Sequence, residues 1–579
     1  MDALNPIFTK ATACQDCYKC LRQCPVKAIT VIQGRAAIDP SRCTYCGTCL
    51  NVCPAHAKVV RDDTGEAKRL LTENSRVIAS LAPSFIAAFA DYGEAKLIAA
   101  LRKLGFFGVS ETAVGAHLVS ATIARYLNVK SPDARPPIMI STACTAVVNL
   151  ITRHFPHLTG MLTPFASPAQ THGAFIKKHF GKDTAVVFIS PCAAKKLEGD
   201  AADSTVDVSI TFADVRAWLE AENLYPETIE PDDADIFIPA RGGYDALYPV
   251  EGGMIESIRN AAPLSNIEFL SFSGMDRVGE ILSDLKPETF TRPLFLELLA
   301  CKGGCISGPC IGFSGRMVDN FIAVRSFAEP LRGTDNPLQM STVARNFTPA
   351  PVNEQVYTDK QIDEALERIG KVRRDDELNC GGCGHHNCRE FAQALLAGRA
   401  EPAMCVSYMR SLALKKANAL MQTMPAGAVI VDRDMKIVEC NRRFAEMMGP
   451  ATTHIYNVRQ SLEDALLPGV VPFHHLFTAV LASSRDVLEK QIRLKDRVLS
   501  VSVFAIEPGR LVGGIIQDIT RPAVRKEQIV KKAREVSHKN LMMVQQIASL
   551  LGETTADSEV LLNSIIDSFS PGTDEIEGK

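Results

Sequence analysis

The rhythm of apolar and polar positions changes several times along the chain. From about residue 75 to 346, short apolar runs such as residues 185–189 and 236–239 alternate with stretches of helical periodicity, which predicts an α/β domain. Residues 389–399 read as a helix with Phe391, Ala392, Leu395 and Leu396 inward. Past Val406 the pattern becomes that of a strand over 424–431, an Asp-Arg-Asp turn, and a second strand over 436–439. A helix over 441–449 follows, stopped by Gly449. Later strands are predicted at 490–494, 498–504 and 511–516. The tail carries Ile529, Ala533, Val536, Val544, Ile547, Leu550 and Leu551 at helical spacing. A second amphipathic run holds Val560, Leu561, Ile565, Ile566 and Phe569.

At 579 residues the chain is too long for one core and divides into several domains. Its net charge of −3 carries no signal for nucleic acid or membrane surfaces. The most apolar long run, residues 77–90, is interrupted by Ser80, Pro83 and Ser84 and is too short to span a bilayer. The opening MDALNPIFTK has no charged stretch followed by an apolar one, which predicts no secretory leader and a cytoplasmic location.

The cysteines change this picture most. There are eighteen, and a reducing cytosol does not favour disulfides. Twelve fall in three tight clusters with metal-ligand spacing, and soft thiolates without interleaved histidine ligands favour iron–sulfur over zinc. The run Cys14-x2-Cys17-x2-Cys20-x3-Cys24-Pro25 recurs as Cys43-x2-Cys46-x2-Cys49-x3-Cys53-Pro54. Each copy resembles the bacterial ferredoxin run in which the fourth cysteine ligates the other cluster. That resemblance implies two [4Fe-4S] clusters, one on Cys14, Cys17, Cys20 and Cys53 and one on Cys43, Cys46, Cys49 and Cys24. A pair of structural zinc knuckles is the alternative. Such clusters move single electrons, so a neighbouring domain should hold their exchange partner.

Between residues 75 and 346 cysteines are sparse, and each sits in a distinctive setting: Ser141-Thr-Ala-Cys144, Ser190-Pro-Cys192-Ala-Ala-Lys195-Lys-Leu-Glu198, and Leu299-Ala-Cys301-Lys-Gly-Gly-Cys305. These segments resemble the three H-cluster motifs of iron–iron (FeFe) hydrogenases, in order, and with the ferredoxin the resemblance covers roughly residues 1–350. It implies that Cys144, Cys192, Cys301 and Cys305 bind the cubane of the H-cluster. Cys305 also bridges to a two-iron subsite carrying CO, CN and a dithiolate. By the same resemblance Pro83 and Ser84 face one cyanide and the Lys195 ammonium faces the other. Gly252-Gly253-Met254-Ile255-Glu256 is similar to a further stretch of that family. Cys310 has no counterpart there and reads as a buried free thiol.

Departures from the family pattern matter as much. Catalytic members place a proton-carrying cysteine directly before the first cluster ligand; here that residue is Ala143. Ala116 and Val119 stand where glutamates are expected. Ser190 and Leu299 replace methionines, and Tyr248-Pro249 replaces a Phe-Gly pair. Ser190 is placed to hydrogen-bond near the subsite and alter its potential. Slow turnover is therefore expected.

A fourth set, Cys380-x2-Cys383-x4-Cys388-x16-Cys405, resembles small iron–sulfur domains attached to redox enzymes and implies one further [4Fe-4S] cluster. Zinc is the alternative, with His385 or His386 as a possible ligand. Beyond it, the opening hairpin and the closing Asp518-Ile519-Thr520 are similar to PAS domains. Cys440 sits in no recognised flavin-reactive setting, and His474 and His475 read as ordinary residues. His538 reads as a solvated helix residue, because no nucleotide-binding domain follows it.

The expected fold is multidomain α+β and α/β. It comprises a ferredoxin-like two-cluster domain (1–72), a two-lobed α/β H-cluster domain (73–352), a small iron–sulfur domain (353–412), a PAS domain (413–521) and C-terminal signalling helices (522–579). The expected function is hydrogen sensing: reversible H2 activation, electron transfer through [4Fe-4S] clusters, and output through PAS and helices. The alternatives are a catalytic ferredoxin-linked hydrogenase and a cluster-bearing redox sensor without hydrogen chemistry. The expected partners are H2 and protons, a redox protein such as ferredoxin, a second copy through PAS and tail helices, and a downstream signalling protein. No nucleic acid and no membrane are expected.

Overall fold

The structure is a computed structural model. It describes residues 5–551 apart from 129–136, 265, 287–289, 291, 313–315, 332–341 and 495–496. The second amphipathic run, Val560 to Phe569, lies outside the described residues. The chain divides into two units, Met1–Tyr408 and Met409–Lys579.

The first unit opens with strand β1 (Ile7–Thr9), the hairpin β2 (Ile29–Ile32) and β3 (Arg35–Ile38), and β4 (Lys58–Val60), which pairs antiparallel with β1. The two cysteine runs are structural repeats, each wrapped around a single helical turn, Lys19–Gln23 and Thr48–Val52. The Cys24 sulfur accepts from the Ala28 amide at 3.3 Å, and the Cys53 sulfur accepts from the Ala57 amide at 3.2 Å, the same contact in each copy.

Next come two parallel sheets. One has the order β6-β5-β8-β9, from β5 (Val77–Leu81), β6 (Gly108–Glu111), β8 (Ala185–Ser190) and β9 (Val208–Thr211). The other has the order β10-β11-β7, from β7 (Ile138–Ile140), β10 (Glu268–Ser273) and β11 (Leu294–Leu299). Strands β5, β8 and β11 are buried along their whole length, as continuous apolar runs covered by helices on both faces should be. The alternating pattern predicts the α/β character of this region, and the two sheets form the two lobes that the family resemblance implies. One expectation fails here: residues 236–239 form no strand. Ile236 is exposed, and only the Ile238 amide bonds to the sheet, at Val109 O. Pro239 has no N–H with which to continue a ladder. Apolar side chains alone made that run resemble a strand.

Segment 342–408 adds two packed helices, Asp359–Glu367 and Cys388–Leu396, clamped by Arg389 against Asp359 and Asp363. Phe391 and Ala392 are buried, and Leu395 and Leu396 are half-buried.

The second unit holds a five-stranded antiparallel sheet, ordered β13-β12-β16-β15-β14. Its strands are β12 (Gly427–Asp432), β13 (Ile437–Cys440), β14 (Val487–Leu494), β15 (Arg497–Glu507) and β16 (Leu511–Asp518). Three helices cover it, Arg442–Met448, Pro450–Arg459 and His475–Ser483, around a core that includes Phe444, Phe473 and Phe477. Asn441 is fully buried and caps the first of these. Its Oδ1 accepts from Phe444 N and Ala428 N, and its Nδ2 donates to Met421 O and Ala426 O. Met421 lies in helix Val406–Thr423, so the end of that helix is tied to the sheet. The predicted tail helix spans Thr520–Leu551, where Ile529, Val536, Met542 and Met543 are exposed.

Candidate metal centre

All three distinctive cysteine segments of the α/β region leave the carboxyl end of a parallel strand. Cys144 follows β7, Cys192 follows β8, and Cys301 and Cys305 follow β11. Ala82-Pro83-Ser84 follows β5, and Thr112 follows β6. Ligand sites of parallel α/β sheets lie off this edge, and here both lobes supply it.

These side chains border two adjoining cavities. Cys144, Cys192, Cys301 and Cys305 line the first, together with Cys46 of the ferredoxin region. The second, of about 110 Å³, is lined by Pro83, Ser84, Thr112, Ala116, Ala143, Ser190, Lys195, Tyr248 and Leu299 among others. Cys144, Cys192 and Cys305 border both. Every predicted residue of this site is thus brought together, although Cys144 and Cys305 are 161 positions apart in sequence (305 − 144).

The electrostatics show how close the thiols are. Burial first, and then repulsion from Cys305, Cys192 and Cys144, pushes the Cys301 thiol far above its ordinary range. Burial and Cys144 raise Cys192 to about 11. All eighteen cysteines are free thiols. Half-buried thiols set this close, with Cys192, Cys301 and Cys305 held protonated by burial and by their neighbours, suit a cationic iron core, which reverses both penalties. Among the described residues no three His, Cys, Asp or Glu side chains close on a single metal ion. A cluster that fills the space between thiolates fits better than a lone ion.

The second cavity also fits anionic diatomic ligands. Ser84 is buried, and its Oγ has no hydrogen-bond partner among the described residues. The Ser190 hydroxyl accepts from Cys192 N at 3.4 Å. Lys195 borders the cavity and forms an ion pair with Glu198. Burial alone would raise the Glu198 carboxyl. The Lys195 ammonium, with the Ser167 and Thr145 hydroxyls, outweighs this and holds it below the usual range. The Thr145 Oγ1 donates to Glu198 at 2.8 Å. A half-buried ammonium needs a counter-charge, and Glu198 supplies it from one helical turn away.

Residues on and behind the cavity wall add buried polar groups. His172 is completely buried, with Nδ1 at 2.8 Å from Ser80 Oγ and Nε2 at 2.9 Å from Ser110 Oγ. Burial holds its pKa down to about 3, so the ring is neutral. Ser80 in turn bonds Thr112 on the cavity wall. Glu297, four residues before Cys301, is pushed by burial to about 7, and its Oε2 has no hydrogen-bond partner among the described residues. Tyr248 bonds Ser120 at 2.9 Å, and burial keeps its phenol protonated. Tyr248 is marked in the sequence by its place in the family pattern, whereas a lone histidine or glutamate in an apolar stretch looks like any core residue, and only the fold brings His172 and Glu297 close to the site.

In the ferredoxin region the thiols neighbour one another across the repeats. Cys20 feels Cys53 and Cys14, while Cys43 feels Cys46, Cys49 and Cys24. Gly47 precedes helix Thr48–Val52 with φ +80°, and a methyl group there would fall 2.4 Å from Pro309 Cγ. Tyr18 holds the equivalent place in the first repeat, where no such neighbour forbids a side chain. The second repeat is therefore the one pressed against the cavity, consistent with Cys46 on its wall. At the fourth set, burial raises the Cys383 thiol, with Cys405 and Cys380 within electrostatic reach.

Repeated thiolate loops beside a thiol-lined cavity between two parallel sheets define a multidomain iron–sulfur protein. Residues 75–309 match the model of the iron-only hydrogenase large subunit, C-terminal domain. Residues 6–68 match a 4Fe-4S dicluster domain, 376–407 an Fe-S cluster domain, and 422–524 a PAS fold. The chain carries an iron-only hydrogenase domain behind a dicluster ferredoxin domain and ahead of a PAS fold. It is 28% identical over 331 residues to the NADP-reducing hydrogenase subunit HndD of Solidesulfovibrio fructosivorans, covering 46% of this chain and 55% of that one. It is 23% identical over 360 residues to the periplasmic [Fe] hydrogenase large subunit of Nitratidesulfovibrio vulgaris, covering 47% and 85%. A solved variant of the [FeFe]-hydrogenase HydA1 from Chlamydomonas reinhardtii covers 50% of this chain and all of that one, at 17% identity and a TM-score of 0.40. No helix among the described residues is long and apolar enough to cross a membrane.

Proposed function

We propose that this protein activates hydrogen at an H-cluster, slowly, and reports the result through its PAS domain and C-terminal helices. The observation that carries the reading is the pair of adjoining cavities that share Cys305. Cys144, Cys192, Cys301 and Cys305 would hold the cubane in the first cavity, with the two-iron subsite in the second. When bound, the H-cluster supplies a Lewis-acidic iron and a basic amine, the pair that divides hydrogen into protons and electrons.

The chain's own residues orient this chemistry and limit it. Ser84 Oγ, buried and unpartnered, is free to donate to an anionic ligand, and Pro83 fixes the loop that carries it. Lys195 presents an ammonium already neutralised by Glu198, so it brings a donor without a net buried charge. Apolar Ala116, Ala143 and Leu299 exclude water. Ala143 also removes the step a thiol would perform, because a methyl group neither accepts nor releases a proton. Cys46 on the shared wall offers the way out for electrons, through the cluster on Cys43, Cys46, Cys49 and Cys24 and its neighbour on Cys14, Cys17, Cys20 and Cys53. A catalytic hydrogenase is the second reading, and the ionisable Glu297 close behind the site is the observation in its favour.

Infrared spectroscopy of anaerobically matured protein tests the reading directly. Cyanide and carbonyl bands are expected, and a Cys305→Ser variant is expected to lose them. Unchanged bands in that variant would remove the assignment.

A further inference from the structure

We infer that the cluster of segment 376–407 exchanges electrons with the ferredoxin clusters and not with the hydrogenase cavity, as the far end of a series. The inference rests on reading Cys380, Cys383, Cys388 and Cys405 as iron–sulfur ligands.

The segment reaches the ferredoxin at several independent points. The backbone of Gly384, at φ +94°, lies against Leu21, so that a methyl group there would fall 2.8 Å from Leu21 Cγ. Leu21 sits in helix Lys19–Gln23, between Cys20 of one predicted cluster and Cys24 of the other. The Val31 amide donates to Arg399 O at 2.9 Å, and the Gly34 amide donates to Glu401 Oε2 at 3.1 Å. Lys27 lies within electrostatic reach of both Cys24 and Cys383. Leu21, Phe391 and Met404 belong to one buried core. Meanwhile the hydrogenase cavity meets the opposite repeat, through Cys46 and through Gly47 against Pro309.

Electron tunnelling falls steeply with distance, so these contacts order the sites: hydrogenase cavity, ferredoxin clusters, fourth cluster. Each transfer oxidises one reduced cluster by one electron and reduces the next by one, with no bond made or broken. Hydrogen, or dithionite in the test below, is the reductant. Cys405, the last ligand, directly precedes helix Val406–Thr423, whose far end Asn441 ties to the PAS sheet. The fourth cluster is thus the last redox centre before the sensory module in the chain.

The test is electron paramagnetic resonance of the dithionite-reduced full chain, reconstituted with iron and sulfide but without the two-iron subsite, so that it needs no hydrogen chemistry. The signal abolished by Cys380→Ser is the fourth cluster's. Dipolar splitting of that signal is expected in the wild type and in Cys144→Ser. It should collapse in a Cys20→Ser/Cys49→Ser variant. Gly384→Leu removes no ligand and should weaken the splitting at unchanged iron content, which covers the case where removing cysteines unfolds the ferredoxin. Splitting that survives both changes, or that vanishes in Cys144→Ser, would overturn the inference. So would zinc, in place of iron, released by Cys380→Ser. In a parallel sample with the H-cluster installed, hydrogen is expected to reduce the fourth cluster. If hydrogen reduces nothing while the splitting stands, the proposed hydrogen chemistry fails and the relay order does not.

Discussion

Ala143 lines the cavity proposed for the two-iron subsite, at the position where the hydrogenase motif carries a proton-passing cysteine. General acid–base groups contribute about 10²–10⁴-fold to such transfers. An Ala143→Cys variant is expected to raise hydrogen oxidation and evolution within that range, measured by gas exchange. A wild type that already turns over like a dedicated hydrogenase would show that another side chain delivers protons. Glu111 makes a different point at the same scale. It is fully buried at the end of β6, accepts only from Gly242 N among the described residues, and burial pushes it to about 7. Its folded pKa lies above the unfolded one, so the stability it contributes is present below about pH 4.5 and is lost as pH rises through 7. The loss is on the order of 3 kcal/mol. Amide-exchange protection of β5 and β6, corrected for intrinsic rates, should fall between pH 5 and 8, and Glu111→Gln should flatten that dependence.

Between elements, the decisive contact is Lys196. It is completely buried, and it joins Asp63, which follows β4, to Asp214, which caps helix Phe212–Ala221 with Thr211. Arg61 adds Asp63 and Asp200 to the same network. Removing one member of a buried ion network leaves the others unpaired, at about 3–5 kcal/mol. Lys196→Met should lower the urea midpoint of the first unit accordingly, while Lys177→Met, whose partner Asp207 is more exposed, should change it little. Sequence and structure part company at this level. The cysteine sets were legible because each is local: three or four ligands within a dozen residues, at a spacing that suits a metal centre. The meeting of Cys144 with Cys305 was legible only through the family motifs, and the strut from His172 to Thr112 and the Lys196 network were not legible at all, because they join strands from distant parts of the chain. Lys195 stood out by its place in Pro-Cys-x-x-Lys, whereas the adjacent Lys196 looked like any solvated lysine. In the PAS fold the strands were legible from their alternation, but helices Pro450–Arg459 and His475–Ser483 were missed, being short and only weakly amphipathic.

For the whole molecule, a sensor needs an element whose equilibrium the input biases. The tail helix Thr520–Leu551 begins where the Thr520 hydroxyl accepts from Val498 N at 2.9 Å on β15, and beyond it Ile529, Val536 and Met543 recur every seven residues on exposed positions. Hydrogen is expected to change amide exchange over residues 520–551 relative to argon, with a coupling of roughly 1–3 kcal/mol. The Cys380→Ser variant should abolish the difference. Identical protection under both gases, in protein with its cofactors intact, would leave the tail as a constitutive dimerisation device. Two thiols described above, Cys17 and Cys380, are exposed, unlike the others of their sets. Each marks the corner at which a cluster would stand open to dissolved oxygen. A cluster held at either corner would meet solvent oxidants there first, so iron retention at these two sets is the sensitive gauge of how a preparation has been kept.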